Sequence, residues 1–281
     1  MQNSLIFNFF CRIKLDFLTK IKSLQMRKSI LRNHLSFNKY IGLILFIALK
    51  PSSQLQFFLS LYTKPKSKDF YRVMQHSKAQ LFQDLFVIDA LRYLRNGCYV
   101  EFGALDGITS SNTYMLEKEF GWNGILVEPS KHQYEKLKIN RPKNSIDNRC
   151  VYRNSGDFVE FGESQSLGLS ALTEYTTLDA NNTSFQNYST IETISLFDLL
   201  ALYAAPRRIN FLSMDTEGGE YEILRDFNFK YYEIDIIVVE HNYKMYRNYI
   251  YELLTKEGYV RVHSKLSRID DWYIHSRLLS S

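Results

Sequence analysis

From position 69 onward, short β-branched and aromatic runs alternate with helix-patterned stretches, and this constrains the fold more than any other feature of the chain. Strands linked through helices can cover both faces of a sheet only if most of them run parallel, so the pattern predicts an α/β domain with a mostly parallel sheet. Phe70–Leu94 reads as a helix stopped by Asn96-Gly97, and Cys98–Phe102 as a buried strand running into Gly103-Ala104-Leu105-Asp106-Gly107. Ser110 or Ser111 can cap the helix that ends at Gly121. Gly124–Glu128 reads as the second strand, Ser130–Leu137 as a helix, and Cys150–Arg153 as the third strand. A helix at Leu196–Tyr203 precedes the strand Ile209–Met214, the turn Asp215-Thr216-Glu217-Gly218-Gly219 and a helix from Glu220. Ile234–Glu240 is apolar on both faces, as a central strand must be. A helix at Tyr246–Lys256 and a strand pair near Tyr259–His263 and Trp272–His275 complete the pattern. Residues 162–190 are polar and rich in Ser, Thr and Asn, and are expected to form a long functional or mobile loop.

Charge divides the chain at the same place. Residues 1–68 hold twelve Lys or Arg against one acid, Asp16, whereas the remaining residues hold 23 bases against 29 acids. The net charge of +5 therefore belongs to a basic, partly amphipathic extension, residues 1–68, set before a mildly acidic domain, residues 69–281. In the extension, Phe10, Ile13, Phe17, Ile21 and Leu24 recur at helical spacing among Arg12, Lys20, Lys22 and Arg27. Such a stripe packs on its own core or lies on an anionic membrane surface. Ile41–Leu49 is too short to span a bilayer, and no small-residue cleavage site follows it. Three cysteines without paired spacing point to a reducing compartment. The expectation is a cytoplasmic protein, with peripheral membrane contact through residues 1–68 as the alternative to the stripe packing on its own core. An acidic domain without a basic face argues against a nucleic-acid partner.

The chemistry concentrates at strand ends, where open α/β sheets bind ligands. Glu101, Glu128 and Asp215 end the first, second and fourth strands. The Gly103–Gly107 turn lacks the middle glycine of a dinucleotide fingerprint and carries acids that would repel a pyrophosphate. A cationic ligand with a ribose fits better. Glu128 can accept both ribose hydroxyls, and Glu101 and Asp106 can balance an amino or sulfonium charge. That describes S-adenosylmethionine.

The segment VEFGALDGITSSNTYMLEKEFGWNGILVEPS (100–130) resembles the cofactor half of the FkbM-type methyltransferase family. FLSMDTEGGEYEIL (211–224) and VVEHN (238–242) resemble its second and third hallmarks, and FQDLFV (82–87) and DDWYI (270–274) its flanking segments. The resemblance covers about residues 70–276. It implies a Rossmann-like class I methyltransferase: a seven-stranded, mostly parallel sheet with helices on both faces and the last strand antiparallel. It further implies transfer of a methyl group from S-adenosylmethionine to a hydroxyl of a sugar, glycan, glycolipid or related metabolite. Carried over residue by residue, it places Glu101, Gly103, Ala104, Asp106, Gly107 and Asn112 around the methionine part. Glu128 and Pro129 fall at the ribose, and Asn154 or Asp157 stands where the family often has an acid near adenine. Asp215 and Glu217 fall at the mouth, with Glu240 and His241 beside them.

A hydroxyl needs a base as it attacks, and His241, Asp215, Glu217 and Glu240 are the candidates. A divalent metal held by Asp215 and Glu240 ranks below a metal-free site, because no metal-specific spacing is present. The turn Asp-Thr-Glu-Gly lacks the Pro-Pro-aromatic sequence that holds a flipped base, which again disfavours nucleic acid. The alternative from another class is a catalytically silent domain acting at a membrane through its basic arm.

Overall fold

The computed structural model describes residues 73–279, apart from 75, 165–169, 174–184, 244 and 265–266. The extension, its boundary at residue 68 and its apolar run lie outside the described residues. Among the described residues, no helix is long and apolar enough to cross a membrane.

Seven strands form the main sheet. They are β1 (Cys98–Phe102), β2 (Asn123–Val127), β3 (Ser145–Asp147), β8 (Arg208–Met214), β9 (Glu233–Glu240), β10 (Tyr259–Val262) and β11 (Asp270–His275), in the order β10-β11-β9-β8-β1-β2-β3. The last strand, β11, runs antiparallel to both its neighbours, pairing Asp270 with Glu240 and Val262 with Trp272. The order reverses between β8 and β1, which opens a crevice beyond their carboxyl ends.

Alternation along each strand divides the core into two layers. Val100 and Phe102 of β1 join Leu212 and Met214 of β8 and Ile237 and Val239 of β9, with α4 (Leu196–Leu202), α5 (Glu220–Leu224) and α6 (Arg247–Lys256) over that face. Tyr99, Phe211, Ile236, Val238 and Trp272 face the other way, under α1 (Gln83–Ala90), α2 (Tyr114–Phe120) and α3 (Lys131–Asn140). Glu101 shares its parity with Tyr99, so it is buried on the α2 side.

Three expectations need correction. The third main-sheet strand is Ser145–Asp147, paired with β2, and not Cys150–Arg153. Cys150–Tyr152, here β4, pairs instead with β7 (Phe185–Ser195) in a second sheet, ordered β4-β7-β5-β6 with β5 (Phe158–Ser164) and β6 (Ala171–Leu172). Within the expected 162–190 loop, residues 162–164, 171–172 and 185–190 are therefore strand, and β5 and β7 pair antiparallel with Phe158 opposite Glu192 and Gly162 opposite Tyr188. Phe161 and Leu172 pack on Cys150 and anchor this hairpin to the domain. Among the described residues of the expected Phe70–Leu94 helix, Val73 and Met74 are helical and the main helix runs only over Gln83–Ala90, bounded by positive φ at Phe82, Arg92 and Tyr93.

Candidate active site

A cavity of about 600 Å³ lies at the reversal point, within the size range of cofactor sites. Its lining comes from the carboxyl ends of β1, β2, β8 and β9, the loop after β1, α3 and the β5–β7 hairpin.

The loop after β1 is held mainly by its own residues. Glu101 accepts from the Asn112 N–H at 2.6 Å, from Thr113 Oγ1 at 2.5 Å and from Ser111 Oγ at 3.0 Å. Burial raises its pKa, and the nearby Arg141 and these donors oppose that rise. Asp106 does not line the cavity; it accepts from the N–H groups of Ile108 and Thr109 at 2.9 and 2.7 Å. Partial burial pulls its pKa up, but those two donors outweigh it and the net shift is downward. The sequence offered Asp106 as a counter-charge for a ligand, whereas the structure spends it on shaping its own turn.

The two glycines also have reasons other than ligand approach. At Gly103 (φ 68°), a Cβ would lie 2.2 Å from the Asp215 carbonyl oxygen, so the β1 and β8 turns can touch only if this residue has no side chain. At Gly107 (φ 78°), a Cβ would meet Leu137 and Arg141 at 2.6 Å. Of the loop residues expected at the cofactor, Glu101, Gly103 and Asn112 line the cavity, while Ala104 and Gly107 do not.

Arg141, which the sequence reading missed, is fully buried beneath this loop. Its guanidinium donates to the Gly107 carbonyl at 2.7 Å, to Tyr99 Oη at 2.7 Å and to Thr113 Oγ1 at 3.1 Å, and it pairs with Glu117. A lone Arg at the end of an amphipathic stretch carries no sequence signal for this; only the fold brings Tyr99, Thr113 and Glu117 around it.

Glu128 follows β2 and is buried. Its Oε2 accepts from the Leu105 N–H at 2.8 Å and its Oε1 from the Ser130 N–H at 2.9 Å. Each oxygen keeps a lone pair for another donor. Burial, with the charges of Asp215 and Glu163 adding to it, raises its pKa to about 7. Pro129, Val127, Cys150, Val151, Phe161 and Leu172 give the adjoining wall its apolar character. Asn154 is exposed, lies outside the cavity and receives a hydrogen bond from Thr193 on its carbonyl. Asp157, the other candidate there, is also outside it. The true third strand does end in an acid, Asp147, but Arg149 and Tyr203 occupy it.

Asp215, Glu217 and Glu240 converge, each offering a carboxylate oxygen within 4.8 Å of the others. Burial and the charges of Asp215 and Glu217 push the Glu240 pKa well above the carboxylate range. Glu220 shapes the intervening turn, accepting from the Thr216 and Gly218 N–H groups at 2.9 and 3.2 Å. Asn242 donates to Glu217 at 3.2 Å. Asp270 is buried and lines a small second pocket that shares Asp215 and Glu240 with the cavity, and Gln83 donates to it at 2.6 Å.

His241 is not brought to this cluster. It is buried outside the cavity lining, its Nδ1 accepts from the Tyr243 N–H at 2.9 Å, and its Nε2 lies 3.7 Å from Asp271. Burial lowers its pKa. Glu240 closes β9 and lines the cavity, whereas His241, just past the strand end, donates its N–H to the Ile269 carbonyl at 2.8 Å and lies outside the lining.

The chain matches the Methyltransferase FkbM domain over residues 101–268. No curated protein matches it. Similar solved structures include a Pyrococcus horikoshii chain provisionally named as an RNA methyltransferase, with 13% identity, TM-score 0.32 and coverage of 82% of this chain and 84% of that one. A methyltransferase from Geobacter sulfurreducens has 10% identity and TM-score 0.39, covering 80% of this chain and 98% of its own. TrmK of M. capricolum, in complex with S-adenosyl-homocysteine, has 10% identity and TM-score 0.31, covering 67% and 66%. The acceptors of these proteins remain their own. The domain match spans both the turn after β1 and the Asp215–Glu240 cluster that face each other across the sheet reversal, and on it the chain belongs to the FkbM methyltransferase family, as an S-adenosylmethionine-dependent methyltransferase.

Proposed function

We propose that the chain transfers the methyl group to a hydroxyl of a neutral, polyhydroxylated acceptor: a sugar, glycan, glycolipid unit or related metabolite. The observation that carries this reading is the carboxylate cluster of Asp215, Glu217 and Glu240 at the cavity wall; among the described residues the Lys or Arg lining the cavity is Lys136, on α3 and not on the strand ends that carry the cluster. Carboxylates accept hydrogen bonds from hydroxyls and can take up their protons, whereas a phosphate-bearing acceptor would be repelled. Nucleic acid fits poorly for the same reason. Gln186 and Asn187 of the hairpin face the same cavity with amide groups that can both donate to and accept from hydroxyls.

The cavity residues fit the cofactor. The free lone pairs of Glu128 suit a ribose diol, and the apolar wall of Val127, Val151 and Phe161 suits a purine face. Asn112 Oδ1 is a buried acceptor with no protein partner, placed to receive an ammonium N–H. Glu128 and Glu240 stand three strands apart in the sheet order, roughly 14 Å at the usual strand spacing. The cofactor supplies a methyl on a sulfonium: the new O–C bond forms as the C–S bond breaks, sulfur keeps the electron pair, and the hydroxyl proton is released. Asp215, Glu217 and Glu240 orient the hydroxyl and receive that proton. His241, buried elsewhere, has no part in it.

The test is transfer of labelled methyl from S-adenosylmethionine to a panel of neutral glycosides and to transfer RNA. The expected result is alkali-stable label on a glycoside and none on RNA; label on RNA alone overturns the acceptor class. In parallel, Glu128→Ala should weaken S-adenosylhomocysteine binding by about 30- to 150-fold, the loss of two charge-assisted hydrogen bonds worth roughly 2–3 kcal/mol.

A further inference from the structure

Three carboxylates crowded together need a cation or shared protons to hold them. Asp215, Glu217 and Glu240 come from the ends of two adjacent strands, β8 and β9, and present oxygens within 4.8 Å of one another. Several donors of the turn serve residues beside the cluster or one of its members. The N–H groups of Thr216 and Gly218 and the Thr216 hydroxyl all go to Glu220, and Asn242 holds one oxygen of Glu217. Glu240 is only 8% exposed, and its Oε2 has no hydrogen-bond partner. It lines both the cavity and the small second pocket that Asp270 borders. A buried carboxylate oxygen with no donor, beside two further carboxylates, is an atom that a cation would satisfy.

We infer that Asp215, Glu217 and Glu240 form a binding site for a hard divalent cation of the magnesium or manganese class. The donor set is all oxygen, without His or Cys, which suits magnesium, manganese or calcium and disfavours zinc or copper. Three protein oxygens leave coordination positions open to the cavity. On the methyl-transfer reading above, on which this role rests, the acceptor hydroxyl takes one of those positions. The cation then lowers the hydroxyl's pKa, and its proton passes to a neighbouring carboxylate or to solvent. This reverses the ranking from sequence, where the Asp-Thr-Glu and Glu-His-Asn segments show no metal spacing. The ligands are assembled across two strands and become visible only in three dimensions.

The test titrates manganese(II) into the full-length chain and follows the free-ion electron paramagnetic resonance signal, with S-adenosylhomocysteine affinity measured by calorimetry on the same samples. Expected are one manganese bound per chain, competition by magnesium, and a loss of affinity of about tenfold or more in Glu240→Gln. S-adenosylhomocysteine affinity should be retained in that variant, and Glu222→Gln should bind manganese as the wild type does. If Glu240→Gln does not fold by circular dichroism, Glu217→Gln is read in its place with the same expectation. A free-ion signal undiminished by wild-type protein, with and without S-adenosylhomocysteine, overturns the inference. So does equal manganese affinity in wild type and folded variant. Failure of manganese binding with intact S-adenosylhomocysteine binding leaves the methyl-transfer reading standing; failure of S-adenosylhomocysteine binding by the wild type sinks that reading on its own.

Discussion

Two buried charges behind the cavity show how single residues set its shape. Arg141 ties Gly107, Tyr99, Thr113 and Glu117 together, and Thr113 in turn holds Glu101. Arg141→Met fills similar space but leaves the Gly107 carbonyl without the guanidinium and Glu117 without its buried counter-charge, held then by Lys118 and Asn144. It should cost about 3–5 kcal/mol in urea unfolding, the usual penalty for stripping one partner from a buried pair. Asp84 presents a different case. It is fully buried, accepts from Ser77 Oγ at 2.7 Å and from the Leu85 N–H at 2.8 Å, and its Oδ2 has no hydrogen-bond partner. Burial raises its pKa from 3.8 to about 7, against the pull of those donors. Between those values the folded chain binds a proton that the unfolded chain has lost, so this group's contribution to stability falls as pH rises through the window. Asp84→Asn removes the dependence. Relative to wild type, the variant should gain about 2 kcal/mol between about pH 5.5 and about pH 8, measured by urea midpoints at both. A constant difference across that range would show that Asp84 titrates normally.

At the scale of elements, the close approach of the β1 and β8 turns depends on one glycine. In Gly103→Ala the new Cβ would sit 2.2 Å from a backbone oxygen of Asp215, which cannot swing aside. Gly156 also has a positive φ, but an added Cβ there meets nothing within 4 Å. Gly156→Ala should therefore cost only the backbone strain, about 1 kcal/mol. Gly103→Ala should cost about 3 kcal/mol or more and displace Asp215, lowering S-adenosylhomocysteine affinity as well. Equal costs for the two would remove the turn-to-turn contact from the account. The contrast also shows what could be read in advance. The strands β1, β2, β8 and β9 were legible because each is an apolar run closed by an acid or a glycine turn. Ser145-Ile146-Asp147 was not, since one apolar residue among three gives no periodicity; its place is set by pairing with β2. β7 was hidden for a related reason. Most of its side chains are exposed, and its stability comes from backbone pairing with β5 and not from a buried face. Glu101, Glu128 and Asp215 could be picked out because they stand at strand ends. Arg141, Gln83 and Asp270 could not, because residues distant in sequence define their roles.

For the whole molecule, the question is whether the site needs the basic extension. Among the described residues, every group lining the cavity falls between Gln80 and Ile269. The strong positive charge belongs to residues 1–68, separate in sequence from the residues that line the acidic cavity. A chain starting at Asp69 should therefore bind S-adenosylhomocysteine within about twofold of the full-length protein, a difference below roughly 0.4 kcal/mol. Binding to vesicles of anionic lipid should behave in the opposite way. If the extension is a membrane-surface element, the full chain binds such vesicles, in a salt-sensitive manner, and the shortened chain does not. If the shortened chain loses its cooperative unfolding transition, the apolar stripe of the extension belongs to the folded core. The two measurements separate those roles because one reads the cavity and the other reads only the arm.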